Sequence, residues 1–178
     1  MSDGTSNTIA FSEAVAGQAN QQYVKGNIAG GISTLDTNPV NTCSVAAVVD
    51  SADRNKLKGT VGTEVGAVQR GKCIADGRSF IGQFHTILPP NSPSCKEVTI
   101  ASSNDGHSQN AVYSASSNHS GGVNCGLADG SVRFVSDTIN SITTGTTFPL
   151  SSSTISGKSP FGIWGAYGSL DGGESVTF

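Results

Sequence analysis

A chain of 178 residues suits one domain, residues 1–178, with enough length for a real core, and two domains are not expected. Charged residues make up only 13%, about half the ~25% of ordinary soluble proteins, while 23 glycines and abundant Ser, Thr and Asn call for short strands and many turns. The net charge of −3, the sequence pI near 5.5 and the scattered Lys and Arg argue against a nucleic-acid partner, and no apolar stretch approaches the ~18 residues of a membrane span.

Asp3-Gly4 opens the chain with a turn, and the alternation from Thr8 to Val15 predicts a strand with Ile9, Phe11, Glu13 and Val15 on one side. Glu13 therefore points with apolar residues, where an unpaired charge costs several kcal/mol. Three readings stand: an ion pair with Arg78 or Arg133, a catalytic or ligand-binding carboxylate, and a simple strand end. Residues 16 to 38 read as loop with a strand near Tyr23 to Ile28. Pro39 suits the first turn of a helix running through Val45, Val48 and Val49 to about Asp50, and Ser51 caps a second short helix stopped by Gly59.

Thr60 to Ile74 reads as a surface loop or ribbon. Five of the nine aspartates precede Gly, so Asp76-Gly77 is first a turn device, while Arg78 is suited to holding a carboxylate with two hydrogen bonds. Phe84 to Leu88 predicts a strand ended by Pro89-Pro90, with His85 as a satisfied structural residue, and Asn91-Ser92-Pro93 forms a rigid turn before Cys95. Val98 to Ala101 and Ala111 to Ala115 predict two more strands around a polar loop that holds Asp105 and His107, a weak metal-site hint.

Residues 122 to 135 carry the strongest signal. Two runs that favour extended structure flank Asp129-Gly130, the dipeptide suited to the positive-φ positions of a type I′ turn, so a β-hairpin is expected. A two-residue loop pairs Leu127 with Val132 and Cys125 with Phe134 and buries those four; Asn124, Gly126, Ser131 and Arg133 take the opposite, polar face. Asp137 to Ile142 predicts a short helix or turn, and Thr143 to Lys158 a Ser/Thr-rich loop. Ser159 and Pro160 start a short helix through Trp164 and Tyr167, stopped at Gly168. Trp164 is read as a core anchor or a sugar-stacking ring. The fold expected is mainly β (α+β): an antiparallel sheet with a central Asp-Gly hairpin, two or three short helices and long loops.

Four widely spaced cysteines, Cys43, Cys73, Cys95 and Cys125, lack the Cys-x2-Cys spacing of zinc sites, so disulfides and an oxidising compartment are expected. Their spacing leaves all three connectivities open.

His119, nine intervening residues and Asp129-Gly130 resemble the bacterial family named for a prepilin-type processing-associated His-x9-Asp-Gly signature. Asp3-Gly4-Thr5-Ser6-Asn7-Thr8 with Glu13, Ala75-Asp76-Gly77-Arg78, the run Leu88 to Cys95, Trp164-Gly165-Ala166 and Gly172-Gly173-Glu174 are similar to it too. The resemblance implies an extracytoplasmic, pseudopilin-like module, of which this chain looks like the C-terminal portion without the leader and membrane helix. Membrane attachment is expected only through that missing helix. It also implies a Cys43–Cys95 pair, leaving Cys73 with Cys125. Calcium is the one cofactor considered, by analogy with other pseudopilins, with Asp105, Asp129 and Asp171 as ligands.

No nucleophile elbow, phosphate loop or His-Glu-x2-His motif is present. Two functional readings follow. One is a non-enzymatic surface or pilus-associated module whose turn-formers and ion pairs fix a β-rich head, with a module that binds carbohydrate or another surface polymer without chemistry as its variant. The other is a glycoside hydrolase, which needs only one carboxyl group raised in pKa as acid and one ionised partner. Glu13 would be the acid, Asp129 or Glu174 its partner and His119 an auxiliary, with Asp76, Arg78, Trp164 and Arg133 as substrate contacts.

Overall fold

A computed structural model describes residues 2–18, 21–63, 70–73, 75–97, 110–141 and 157–174. The strand expected at Val98 to Ala101, the Asp105–His107 loop, residues 64–69 and 74 of the segment 60–74 and most of the segment 143–158 lie outside them. The fold is mixed α+β, mostly strands with short helices, built on two small sheets. The strands are β1 (Ile9–Ser12), β2 (Ile28–Gly30), β3 (Gly62–Thr63), β4 (Ser94–Lys96), β5 (Ala111–Val112), β6 (Gly122–Leu127) and β7 (Val132–Ser136). The helices are α1 (Pro39–Thr42), α2 (Val45–Val48), α3 (Ser79–Gly82) and α4 (Gly162–Tyr167), preceded by a 3-10 turn at Thr5–Asn7.

The first sheet is antiparallel, in the order β1-β6-β7. The Asp-Gly hairpin forms, but its register differs from the expected one by one residue: Gly126 faces Val132, Cys125 faces Arg133 and Asn124 faces Phe134. The cause is the turn. Gly130 N–H donates to Leu127 O at 3.0 Å, Leu127 N–H donates to Ser131 O at 2.8 Å, and only Gly130, with φ 86°, is left-handed while Asp129 is not. This is a three-residue loop closed by a left-handed glycine, not the type I′ turn. A slip of one flips every side chain of β7. Val135 is buried with Val123, Cys125 and Leu127, whereas Val132 and Phe134 are 69% and 52% exposed.

The outer face explains why the aromatics stay outside. A Cβ at Gly122 would come within 2.8 Å of the Phe134 ring, and one at Gly126 would lie 3.7 Å from Phe11, so each aromatic covers a bare stretch of β6 backbone. Beneath the sheet, Ile9, Val123, Cys125, Leu127 and Val135 pack with Trp164 and Tyr167 of α4.

The second sheet runs β3-β2-β4-β5 and is mixed, because β2 pairs in parallel with β4 (Ala29 facing Cys95) while its other pairings are antiparallel. β2 is buried along its whole length, as a parallel central strand requires. Cys95 of β4 bonds to Cys43, which ends α1, and so ties the helical piece to the sheet. The expected Cys73–Cys125 bridge is not formed; both are free thiols. Their strands of chain belong to different cores: Cys125 lies under the first sheet, and Cys73 packs against Ile28, Phe80, Ile81 and Tyr113.

Local chemistry sets the helices. Pro39 sits in the first turn of α1, and Asn38 and Ser44 each accept from a backbone N–H three residues on, so the expected single helix splits in two at Cys43. The second helix expected from Ser51 is instead a turn, held where Asp50 and Asp53 accept from the backbone two residues on and where Tyr23 bridges Lys56. α3 begins just after Arg78 and was not signalled. Phe84 to Leu88 is no strand: within it His85 N–H donates to Tyr113 O at 2.7 Å, and the chain then bends.

Candidate functional site

Glu13 follows β1 directly, and its backbone N–H continues the ladder to Asn124 O at 3.3 Å. That places the carboxylate beside β6. Glu13 Oε2 accepts from Asn124 N–H at 2.7 Å, and Oε1 accepts from Asn124 Nδ2 at 3.3 Å and lies 3.0 Å from His119 Nε2. Burial pushes the Glu13 carboxyl up, but the Asn124 amide, the Asn124 side chain and the facing His119 outweigh it and hold it below the ordinary glutamate value. The partners of Glu13 are thus an asparagine and a histidine, and neither Arg78 nor Arg133 is among them.

His119 is set by the chain before it. Its N–H donates to Ser117 Oγ at 3.0 Å, Ser117 Oγ donates to Gly122 O at 2.6 Å, and Ser117 N–H donates to Asn91 Oδ1 at 3.0 Å. Asn91 holds a left-handed φ of 63°, which asparagine tolerates.

The other end of the signature clasps the same N-terminal segment. Ala128 N–H donates to Thr8 O at 2.8 Å and Asp129 N–H donates to Thr5 O at 3.2 Å. Asp129 Oδ1 accepts from Ser131 Oγ at 2.7 Å and Ser131 N–H at 2.9 Å; these bonds, with the Arg133 charge, lower its pKa against a small burial effect. Asp3 in turn accepts from the backbone N–H groups of Gly172, Gly173 and Glu174 at 2.8–3.1 Å. So Asp3, the Thr5–Thr8 turn and Glu13 are each held by a different part of the C-terminal half.

Asp76 and Arg78 pair with each other. Arg78 Nε lies 2.9 Å from both Asp76 oxygens, Nη2 bonds as well, and the guanidinium lies over the Phe80 ring. Trp164 is wholly buried and donates Nε1–H to Leu88 O at 2.7 Å, which is the core-anchor arrangement of the two expected. Glu174 accepts from Ser159 N–H at 2.7 Å, and its second carboxylate oxygen is buried without a partner among the described residues. Arg133 is exposed beside the hairpin tip.

Carboxylate spacing bears on hydrolysis. Glu13 sits beside Asn124 on β6, whereas Asp129 lies in the loop beyond the end of that strand at Leu127, where Ser131 holds it, so the two carboxylates do not stand side by side. Both are also held toward the ionised form, and a general acid needs the opposite. Among the described residues, no three metal-ligating side chains converge.

The model of a family described as a protein of unknown function (DUF1559) matches residues 1–141. The chain belongs to the DUF1559 family. No curated protein and no solved structure matched it. The DUF1559 match covers the Asp3–Glu13 segment, the disulfide and the His119–Asp129 signature; α4 and Glu174 lie beyond it.

Sequence patterns missed two residues, Asn124 beside Glu13 and Arg70 in a separate buried cluster. Asn124, on a strand interior, had no signal of its own. Arg70 is 2% exposed, donates Nη2–H to Ser114 O at 3.0 Å, lies over Tyr113 and is lowered to about 10 by burial. Its neighbour His85 accepts from Tyr113 N–H through Nδ1 at 3.1 Å, and burial, then the Arg70 charge, push its pKa down. His85 is thus a satisfied structural histidine. The Cys43–Cys95 disulfide suits an oxidising, extracytoplasmic compartment, and among the described residues no helix is long and apolar enough to cross a membrane.

Proposed function

We propose that the chain is the extracytoplasmic head of a pseudopilin-like protein, a pilus-associated or cell-surface module that holds a surface polymer such as carbohydrate without cleaving it. One observation carries this reading: both ends of the His-x9-Asp-Gly signature close on the Asp3–Glu13 segment, His119 through Glu13 and Asp129 through Thr5. The signature is a clasp that fixes the Asp3–Glu13 segment against the hairpin. Glu13 and Asp129 have the hydrogen bonds of framework carboxylates, and neither is tuned as an acid.

The test has two arms. The purified, oxidised chain is incubated with a panel of aryl glycosides beside Glu13→Gln and Asp129→Asn; no turnover is expected from any of the three. Turnover by the wild type that either variant abolishes would overturn the reading in favour of hydrolysis. In the source cell, an antibody to the chain is expected to label the envelope or surface filaments, and label confined to the cytoplasm would overturn the location.

A further inference from the structure

A cleft of about 410 Å3 opens beside the clasp, between the Tyr23–Asn27 segment, the Arg54–Asn55 turn, Asn91 and Asn118. It is continuous with the shallower depression that holds Glu13 and His119, since Val15, Ala16 and Asn118 line both. Three features of its wall point to a ligand.

The first is charge. In a protein of net charge −3, this cleft is lined by Lys25 and Arg54 and, among the described residues, by no carboxylate. The nearby Asp53 pairs with Lys56 at 3.3 Å, and Glu13 is taken by Asn124 and His119. Lys25 is fixed by donating Nζ–H to Ser117 O at 2.7 Å, whereas the exposed Arg54 guanidinium makes no hydrogen bond or ion pair among the described residues. Such a planar fork matches a carboxylate.

The second is an amide left short of a donor. Asn27 is 3% exposed and gives its Nδ2–H to Tyr23 O at 3.1 Å, yet its buried Oδ1 has no partner among the described residues. Orphaned side-chain acceptors of this kind are rare in native interiors, and this one belongs to a side chain lining the cleft, where a ligand hydroxyl can supply the missing donor. The third is aromatic surface. Tyr23, 42% exposed, presents a ring at the rim beside Asn55 and Asn118, whose side-chain amides make no hydrogen bond among the described residues.

Cation, hydroxyl acceptor, free amides and an exposed ring together describe a site for a sugar that carries a carboxylate. We infer that this cleft binds an acidic saccharide, a uronate unit of a surface or matrix glycan, with Arg54 on the carboxylate, Asn27 and Asn118 on hydroxyls and Tyr23 against the ring. The inference rests on the polymer-binding reading above and names its ligand class and place.

Titration of the oxidised chain with a short oligogalacturonate, a neutral maltooligosaccharide and polyglutamate separates the two claims. The uronate is expected to bind most tightly, to weaken with added salt, and to perturb backbone amide resonances around residues 23–27, 54–55 and 118. Arg54→Gln, an exposed substitution whose fold is checked by circular dichroism, is expected to weaken it about tenfold. Lys158→Gln, which removes equal charge outside the cleft, is expected to leave it unchanged. Equal binding of the neutral sugar, or perturbations elsewhere, overturns this cleft while the polymer-binding reading stands. Equal binding of polyglutamate overturns the saccharide in favour of a general anion site. No binding of either sugar overturns both.

Discussion

His119 Nε2 lies 3.0 Å from Glu13 Oε1, joining residues 106 apart in sequence across the start of the first sheet. The same carboxylate takes the backbone N–H of Asn124, so one glutamate closes both the histidine end of the signature and the strand that follows it.

Removing that carboxylate leaves a donor behind. Glu13→Ala is expected to lower stability by about 1–3 kcal/mol, because the part-buried Asn124 N–H loses its acceptor. His119→Ala should cost less than about 1 kcal/mol, since that pair is half exposed. Urea unfolding midpoints check both; a His119→Ala loss exceeding that of Glu13→Ala would mean that the histidine carries the clasp.

Acid should loosen the fold. Asp3 and Asp129 sit below their ordinary value of 3.8 and Glu13 below 4.5; for Asp3 and Glu13 burial pulls upward but hydrogen bonds win. A carboxyl with a folded pKa below its unfolded one binds fewer protons when folded. Its contribution is therefore complete above the unfolded value and is lost as pH falls through the folded one. Melting temperature should hold steady near neutrality and drop below about pH 4.5, with a flatter acid limb in Asp3→Asn.

One disulfide and two thiols are expected. Alkylation of the denatured, unreduced chain should label Cys73 and Cys125 and spare Cys43 and Cys95. In the folded chain Cys73 should react first, because Cys125 is fully buried and burial raises its thiol pKa. Loss of the bridge, whose partners are 52 residues apart, should cost about 4 kcal/mol on the chain-entropy estimate.

Gly122→Ala should be disproportionately harmful for one methyl. Its Cβ would fall 2.1 Å from Val135 O and within 3 Å of the Phe134 ring, so the backbone of β7 must move, at a cost of about 1–3 kcal/mol. Phe134→Ala, on the open face, should cost less, and the pair measured by thermal denaturation tests whether ring or backbone resists.

Much of this protein was legible in its residues. Alternation and turn chemistry located β1, β6 and β7, Pro39 located α1, and the run ending at Gly168 located α4, because these signals are local and act through the backbone. Family resemblance supplied the Cys43–Cys95 pair, which spacing alone left open. The hairpin register was not legible: Asp-Gly serves both a two-residue turn and the last two positions of a three-residue one, and the choice depends on whether Phe134 covers Gly122 outside or fills the core.

The partners of charge were the least visible. The residues around Glu13 leave an arginine partner, a catalytic or ligand-binding role and a strand end all open, because a carboxylate takes whatever donor the fold brings within reach. Here strand pairing brought Asn124 and the Ser117–Gly122 approach brought His119. Sequence by itself determined where the chain turns, extends and coils, since those preferences reside in each residue and its neighbours. Only the tertiary structure decided the register, the free thiols, the buried Trp164 and the cleft beside Asn27, because each depends on distances between residues far apart along the chain.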